Sequence, residues 1–210
     1  GGFHSRAYYA FDPATGRNRW AQGLGDNGPS TAACAAGAVI FNTESCTIFA
    51  LNQKDGSHRW SYWLGDPQMS SPAAHDGLVY TSYPSLAYTQ AKGEGGNPTH
   101  VTVALDAKSG KIVWQRWLDS EILSAPVIAG DSLYATSLAG IVYRMHRKSG
   151  ALLAARRVRA TSAPVVWKDS LLLSKRSDAA GSKAISEAFT QLRLDDGSAV
   201  FTTRPRSAPY

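Results

Sequence analysis

The side chains of this 210-residue chain that could do chemistry are scattered rather than gathered. Five histidines, His4, His58, His75, His100 and His146, lie far apart and show none of the close spacings that metal ligands take. Cys34 and Cys46 form no redox motif and are expected to stay unpaired with each other. The glycine-rich stretch Lys92-Gly93-Glu94-Gly95-Gly96-Asn97-Pro98 lacks the strand–loop–helix setting and the following Lys-Ser/Thr of a phosphate cradle. Serines recur, yet no nucleophile–base constellation stands out. We therefore predict no catalytic residue, no resident cofactor and no metal ligand.

What stands out instead is charge. The net charge is +6, and residues 141–176 carry nine Lys or Arg against the single acid Asp169. The nine are Arg144, Arg147, Lys148, Arg156, Arg157, Arg159, Lys168, Lys175 and Arg176. Such a sector is either a solvated edge or a surface that attracts acidic proteins or anionic envelope material. Few aromatics lie among these residues to stack bases, so no specific nucleic acid is expected. Arg156, Arg157 and Arg159 are predicted to occupy a link between repeats, on the opposite face from Arg144, Arg147 and Lys148. With Trp63 they are the predicted partner contacts.

The elements that must position these residues belong to a repeat. Its copies are Asp12-Pro13-Ala14-Thr15-Gly16…Trp20, Asn52-Gln53-Lys54-Asp55-Gly56…Trp60 and Asp106-Ala107-Lys108-Ser109-Gly110…Trp114. Two weaker ones follow, His146…Gly150…Ala154 and Arg193…Gly197…Phe201, and the glycines are 40, 54, 40 and 47 residues apart. A second signature follows at a fixed distance, as in Ser124-Ala125-Pro126…Leu133-Tyr134 and Ser162-Ala163-Pro164…Leu171-Leu172. Each signature is a pair of short strands around a tight turn, so one repeat holds four strands. The composition, with 19 Gly, 10 Pro and 10% aromatics, also favours turn-rich β structure over helix. The longest apolar run, residues 32–41, falls well short of a membrane span.

The Ala-x-Asp-x-x-Thr-Gly-x-x-x-Trp pattern resembles the tryptophan-docking repeat of the pyrroloquinoline-quinone-like (PQQ-like) β-propellers. The resemblance covers essentially the whole chain. It implies an all-β fold of four-stranded antiparallel blades. Repeats run over residues 1–29, 30–69, 70–123, 124–161 and 162–206, in one partial propeller domain, with the start of a further blade at 207–210. About four and a half blades are present, and the ring is expected to be larger, of seven or eight, or completed by another chain. The resemblance makes Trp20, Trp60 and Trp114 blade-docking residues, with Asp12, Gly16, Gly56, Asp106 and Gly110 shaping the reversals. Where His146, Ala154, Arg193 and Phe201 depart from the pattern, the contacts between blades are expected to be looser or differently filled.

Family resemblance also sets the functional expectations. Loops at residues 84–100 and 175–187, and the links between blades, share one face and would carry any binding surface. The expected function is a non-catalytic, extracytoplasmic scaffold for protein–protein interaction or envelope assembly, resembling bacterial propellers of that kind. One alternative is a fragment of a quinoprotein dehydrogenase, in which blades beyond this chain would have to supply the quinone and calcium site. Another is a carbohydrate- or envelope-binding module using Tyr83 and Tyr88.

Overall fold

In this computed structural model the described residues are 6–26, 30–65, 70–84, 100–122, 125–178 and 186–207. Most of both long insertions, including Tyr88, lies outside them. The described residues form strands and turns without helix, and the chain divides into two compact units, Gly1–Asp119 and Ser120–Tyr210.

The first unit opens with the pair β1 (Ala7–Phe11) and β2 (Asn18–Gly23). A four-stranded antiparallel sheet follows, ordered β3 (Ala33–Ala35), β4 (Ala38–Asn42), β5 (Thr47–Asn52), β6 (His58–Trp63). The next has the same order, β7 (Ala73–His75), β8 (Leu78–Pro84), β9 (His100–Asp106), β10 (Ile112–Leu118). In the second unit, β11 (Val127–Ala129), β12 (Ser132–Thr136), β13 (Ile141–His146) and β14 (Leu152–Arg157) form one sheet. The other contains β15 (Val165–Trp167), β16 (Ser170–Arg176), β17 (Ser186–Arg193) and β18 (Ala199–Thr202). Residues read from sequence as reaching a further blade are seen in part: β19 (Arg206–Ser207) pairs with Ser186 and Glu187 of β17.

Second and third strands are covered on both faces, which is why β4, β9 and β12 read as nearly continuous apolar runs. Ile40, Ile48 and Ala50 meet Val79, Val103 and Leu105 in the first unit. Tyr134 and Val142 meet Leu171, Leu173 and Leu192 in the second. Fourth strands such as β6 and β14 are largely exposed. Each core is thus a layer between one sheet and the next.

The repeated turn has one backbone geometry in all five copies. Glycine N–H donates to the carbonyl four residues earlier, at Asp12, Asn52, Asp106, His146 and Arg193 (2.8–3.0 Å). The amide of that earlier residue donates across the turn to Arg17, Ser57, Lys111, Ala151 and Ser198. Gly16, Gly56, Gly110, Gly150 and Gly197 all have φ between 68° and 75°. Side chains of Asp12 and Asp106 brace their copies by accepting from Thr15 and Ser109. His146 and Arg193 lack that carboxylate, yet the backbone turn persists. Glycine, not the acid, carries the reversal.

That glycine also seats an indole. A Cβ built on Gly56 would lie 2.6 Å from Cε3 of Trp20, and one on Gly110 would lie 2.7 Å from Trp60. Trp20 Nε1 donates to Gln53 O and Trp60 Nε1 to Ala107 O, each at 3.1 Å. Each accepting carbonyl precedes the seating glycine by three residues. The tryptophan of one sheet therefore caps the turn of the next.

Gly16 has the same backbone angle as Gly56 but nothing within 4 Å of its virtual Cβ. Gly16→Ala should cost about 1–2 kcal/mol, the left-handed backbone penalty alone. Gly56→Ala should cost about 1–3 kcal/mol more, because it also displaces Trp20; urea unfolding of both variants measures the difference. Asp12 is pushed down to about 2, first by the hydrogen bond from Arg19 and then by its bonds from Thr15. A depressed carboxylate adds stability above its unfolded pKa and loses it as pH falls through the folded one. The stability gap between the parent and Asp12→Asn should therefore be widest above about pH 4 and shrink towards pH 2, read from urea midpoints across that range.

Candidate functional site

Three neighbouring segments of the second unit build a basic cleft. The end of β14 supplies Arg157, the following link supplies Arg159, and the end of β16 supplies Lys175 and Arg176. The cleft has a volume of about 560 Å³ and continues past Ala188, Thr190 and Leu192 of β17 to Thr202, Thr203 and Pro205. The volume falls within the range of ligand-binding clefts.

The link is held by its backbone. Arg159 has φ 58°, rare for a side chain larger than glycine. Val158 N and Ala160 N both donate to Gly140 O, and Arg176 N donates to Arg159 O. Gly140 is required there, since a Cβ on it would lie 2.7 Å from Arg159 Cα. A β-bridge joins Ala160 to Lys175. The cationic side chains thus project from a fixed strip of main chain.

Asp178 is the cleft's counter-charge. Arg176 Nε donates to its Oδ1 at 2.6 Å, and Arg159 approaches its Oδ2 at 3.2 Å. The Arg176 guanidinium holds the Asp178 carboxyl well below the usual carboxylate range. One carboxylate thus orients two arginines without neutralising the four cations lining the cleft. Arg157 has a long contact to Ala139 O (3.4 Å) and is exposed.

The nine basic residues separate by role. Arg144 Nε donates to Ser132 Oγ, and its Nη1 donates to Asp195 O at 3.1 Å. Arg147 is buried, donating to Gly130 O and pairing with Asp131 at 3.4 Å. Lys168 lies 4.5 Å over the Trp167 ring.

Arg156 differs from its two predicted companions. It and Arg157 belong to β14, which corrects their placement in a link; only Arg159 lies there. Arg156 lies against Gly197, where a Cβ would come within 2.5 Å of its Nε and 2.6 Å of its Cδ. It occupies the seat that an indole fills on Gly56 and Gly110, because Ala154 stands at the tryptophan position. The sequence reading expected a differently filled contact at Ala154 but did not identify Arg156 as the filling, and it left Lys175, Arg176 and Asp178 out of the site. The Arg176-Ser177-Asp178 adjacency was the available signal.

Trp63 lies in the first unit, at the end of β6. It is 62% exposed, and its Nε1 donates to Ser45 O at 3.1 Å. Tyr62 and Trp117 are also substantially exposed. Among the described residues no three His, Cys, Asp or Glu side chains gather closely enough to hold a metal ion. Cys34 is exposed and Cys46 buried, both as free thiols.

Comparison with known proteins places the fold. The sequence family described as "Outer membrane protein assembly factor BamB" matches residues 4–95 and 96–206. BamB from Moraxella catarrhalis superposes with a TM-score of 0.68 at 22% identity, covering 96% of this chain and 59% of that one. Quinohemoprotein alcohol dehydrogenase from Comamonas testosteroni gives 0.64 at 11% identity, over 94% of this chain and 40% of that one. The WD40 domain of Neurospora crassa Pan2 gives 0.62 at 12% identity, over 93% and 59%. The chain thus spans only about 59% of the BamB structure's length. No curated protein sequence matches it.

Arg156→Ala should destabilise the protein by about 1 kcal/mol through lost packing on Gly197. Arg157→Ala should stay within about 0.5 kcal/mol of the parent. Thermal unfolding of the two variants separates the packing arginine from the exposed one.

Proposed function

We propose, from the premise that this chain belongs to the family of the outer membrane protein assembly factor BamB, that it is a non-catalytic, extracytoplasmic propeller scaffold docking a protein partner. The sheets serve as supports, and the work is done by what they display. The observation that carries this reading is the open cleft lined by Arg157, Arg159, Lys175 and Arg176. Fixed cations around a cleft favour an acidic partner segment, speeding encounter and setting orientation. Exposed Trp63 is proposed as a second contact, of the aromatic kind that anchors interfaces.

Likeness in fold to a quinohemoprotein dehydrogenase supports a second reading, a quinoprotein fragment. The described residues do not fit a quinone site. Trp20 and Trp60 lie on glycines of neighbouring sheets, and the two cysteines are not adjacent. A carbohydrate-binding role would use Tyr83, which is half-buried and hydrogen-bonded to Gln115.

The test is affinity capture from an envelope fraction with the parent protein and the double charge reversal Arg157→Glu, Arg159→Glu. Captured protein should fall at least about tenfold, the scale of losing one buried charged contact; Arg157→Glu alone, which leaves the Arg159–Asp178 pair intact, should lower capture with the unfolding midpoint unchanged. Equal capture by the two would overturn the cleft as the docking site. Calcium-dependent quinone binding by the purified chain would favour the quinoprotein reading, and a glycan-array signal the carbohydrate one.

A further inference from the structure

The seat between the two sheets of the second unit is built for an indole and holds none of its own. Where Trp20 and Trp60 lie on Gly56 and Gly110, the corresponding glycine is Gly197 and the corresponding tryptophan position is Ala154. The main chain of the seat is kept. Gly197 has φ 68°, the same turn hydrogen bonds, and no Cβ to block a flat ring. Leu194 O stands three residues before it, as Gln53 O and Ala107 O stand before theirs. In those seats that carbonyl accepts from an indole N–H at 3.1 Å; here, among the described residues, it accepts a long bond from Tyr134 OH, at 3.4 Å.

The substitute filling is incomplete and loosely held. Arg156 lays its side chain on Gly197, but a cavity of about 30 Å³ remains, lined by Tyr134, Val142, Ala154, Leu171, Leu192 and Leu194 among others. Among the described residues no hydrogen bond or ion pair fixes the Arg156 guanidinium, and the residue is exposed. Gly56 and Gly110 are buried beneath their indoles, whereas Gly197 and Ala154 are half-buried and reachable from solvent. Turning Arg156 outward would open the face of Gly197 that Trp20 and Trp60 cover on Gly56 and Gly110.

We propose that this seat receives the side chain of a tryptophan from a partner protein, completing in trans the contact that Trp20 and Trp60 make in cis. The ring would lie on Gly197 against Ala154 with its N–H on Leu194 O. The displaced Arg156 would then add its charge near the basic cleft, since the seat and the cleft share Leu192 and Gly197. The favoured partner segment is a tryptophan flanked by acidic residues. The identity of the occupant as a partner rests on the scaffold reading above; the seat's preference for indole does not.

N-acetyl-tryptophanamide is the probe, titrated into the full chain and followed by amide NMR shifts. Saturable shifts are expected at Ala154, Arg156 and residues 194–197. Arg156→Ala should tighten binding about three- to tenfold by removing the competing side chain. N-acetyl-phenylalaninamide, which lacks the N–H donor, should bind about fivefold more weakly. Ala154→Trp should fill the seat from within, raise the unfolding midpoint and abolish the shifts. No saturable shift in Arg156→Ala at millimolar probe would overturn the seat, as would undiminished binding in Ala154→Trp. Equal binding of the phenylalanine probe would overturn recognition through Leu194 O. Should the probe bind while Ala154→Trp captures as much envelope protein as the parent, the partner's tryptophan is overturned and the seat stands. Loss of capture on charge reversal alone would leave the scaffold reading in place.

Discussion

One contact organises the first unit of this molecule: a flat indole lying on a glycine that has no Cβ to hold it off. The glycine is needed twice, once for a backbone angle of about 70° and once for clearance. The tryptophan is likewise used twice, through the area of its ring and through its N–H. Because the accepting carbonyl belongs to the same turn as the glycine, one side chain fixes both the distance and the rotation of one sheet against the next. Aliphatic layers such as Ile40, Val79 and Leu105 then fill the space that this contact defines.

Much of this could be read from the chain because the repeat is local. Glycine at a set distance before tryptophan announces a turn and a seat, and alternating short apolar runs announce strands around them. The register of all four strands in a sheet follows from two signatures. What could not be read was the response to a missing member. Ala154 announces a gap, but Arg156 reaches it only because strand alternation places both side chains on one face of β14. Tyr134 and Arg144 reach the same turn from the neighbouring sheet.

The candidate site was legible as charge and not as arrangement. Counting nine cations in one sector pointed to the segments that line the cleft, yet the count assigned the same meaning to each. The structure gives them different ones: Arg147 is buried against Asp131, Arg144 bonds a neighbouring turn, and Lys168 covers a ring. Those that remain at the cleft are set by pairing between Ala160 and Lys175, residues well separated in sequence. A pattern of charge along a chain carries no information about such pairing.

The five turns keep one main-chain hydrogen-bond pattern although their acids, tryptophans and hydroxyls vary. Reversal and adhesion are therefore separable functions of the same few residues. A copy can lose its adhesive side chain without losing its shape, so duplicated units can diverge one at a time while the stack stays in register. Cohesion then becomes uneven from layer to layer. The layer that has drifted furthest is the natural place for selection to install something new.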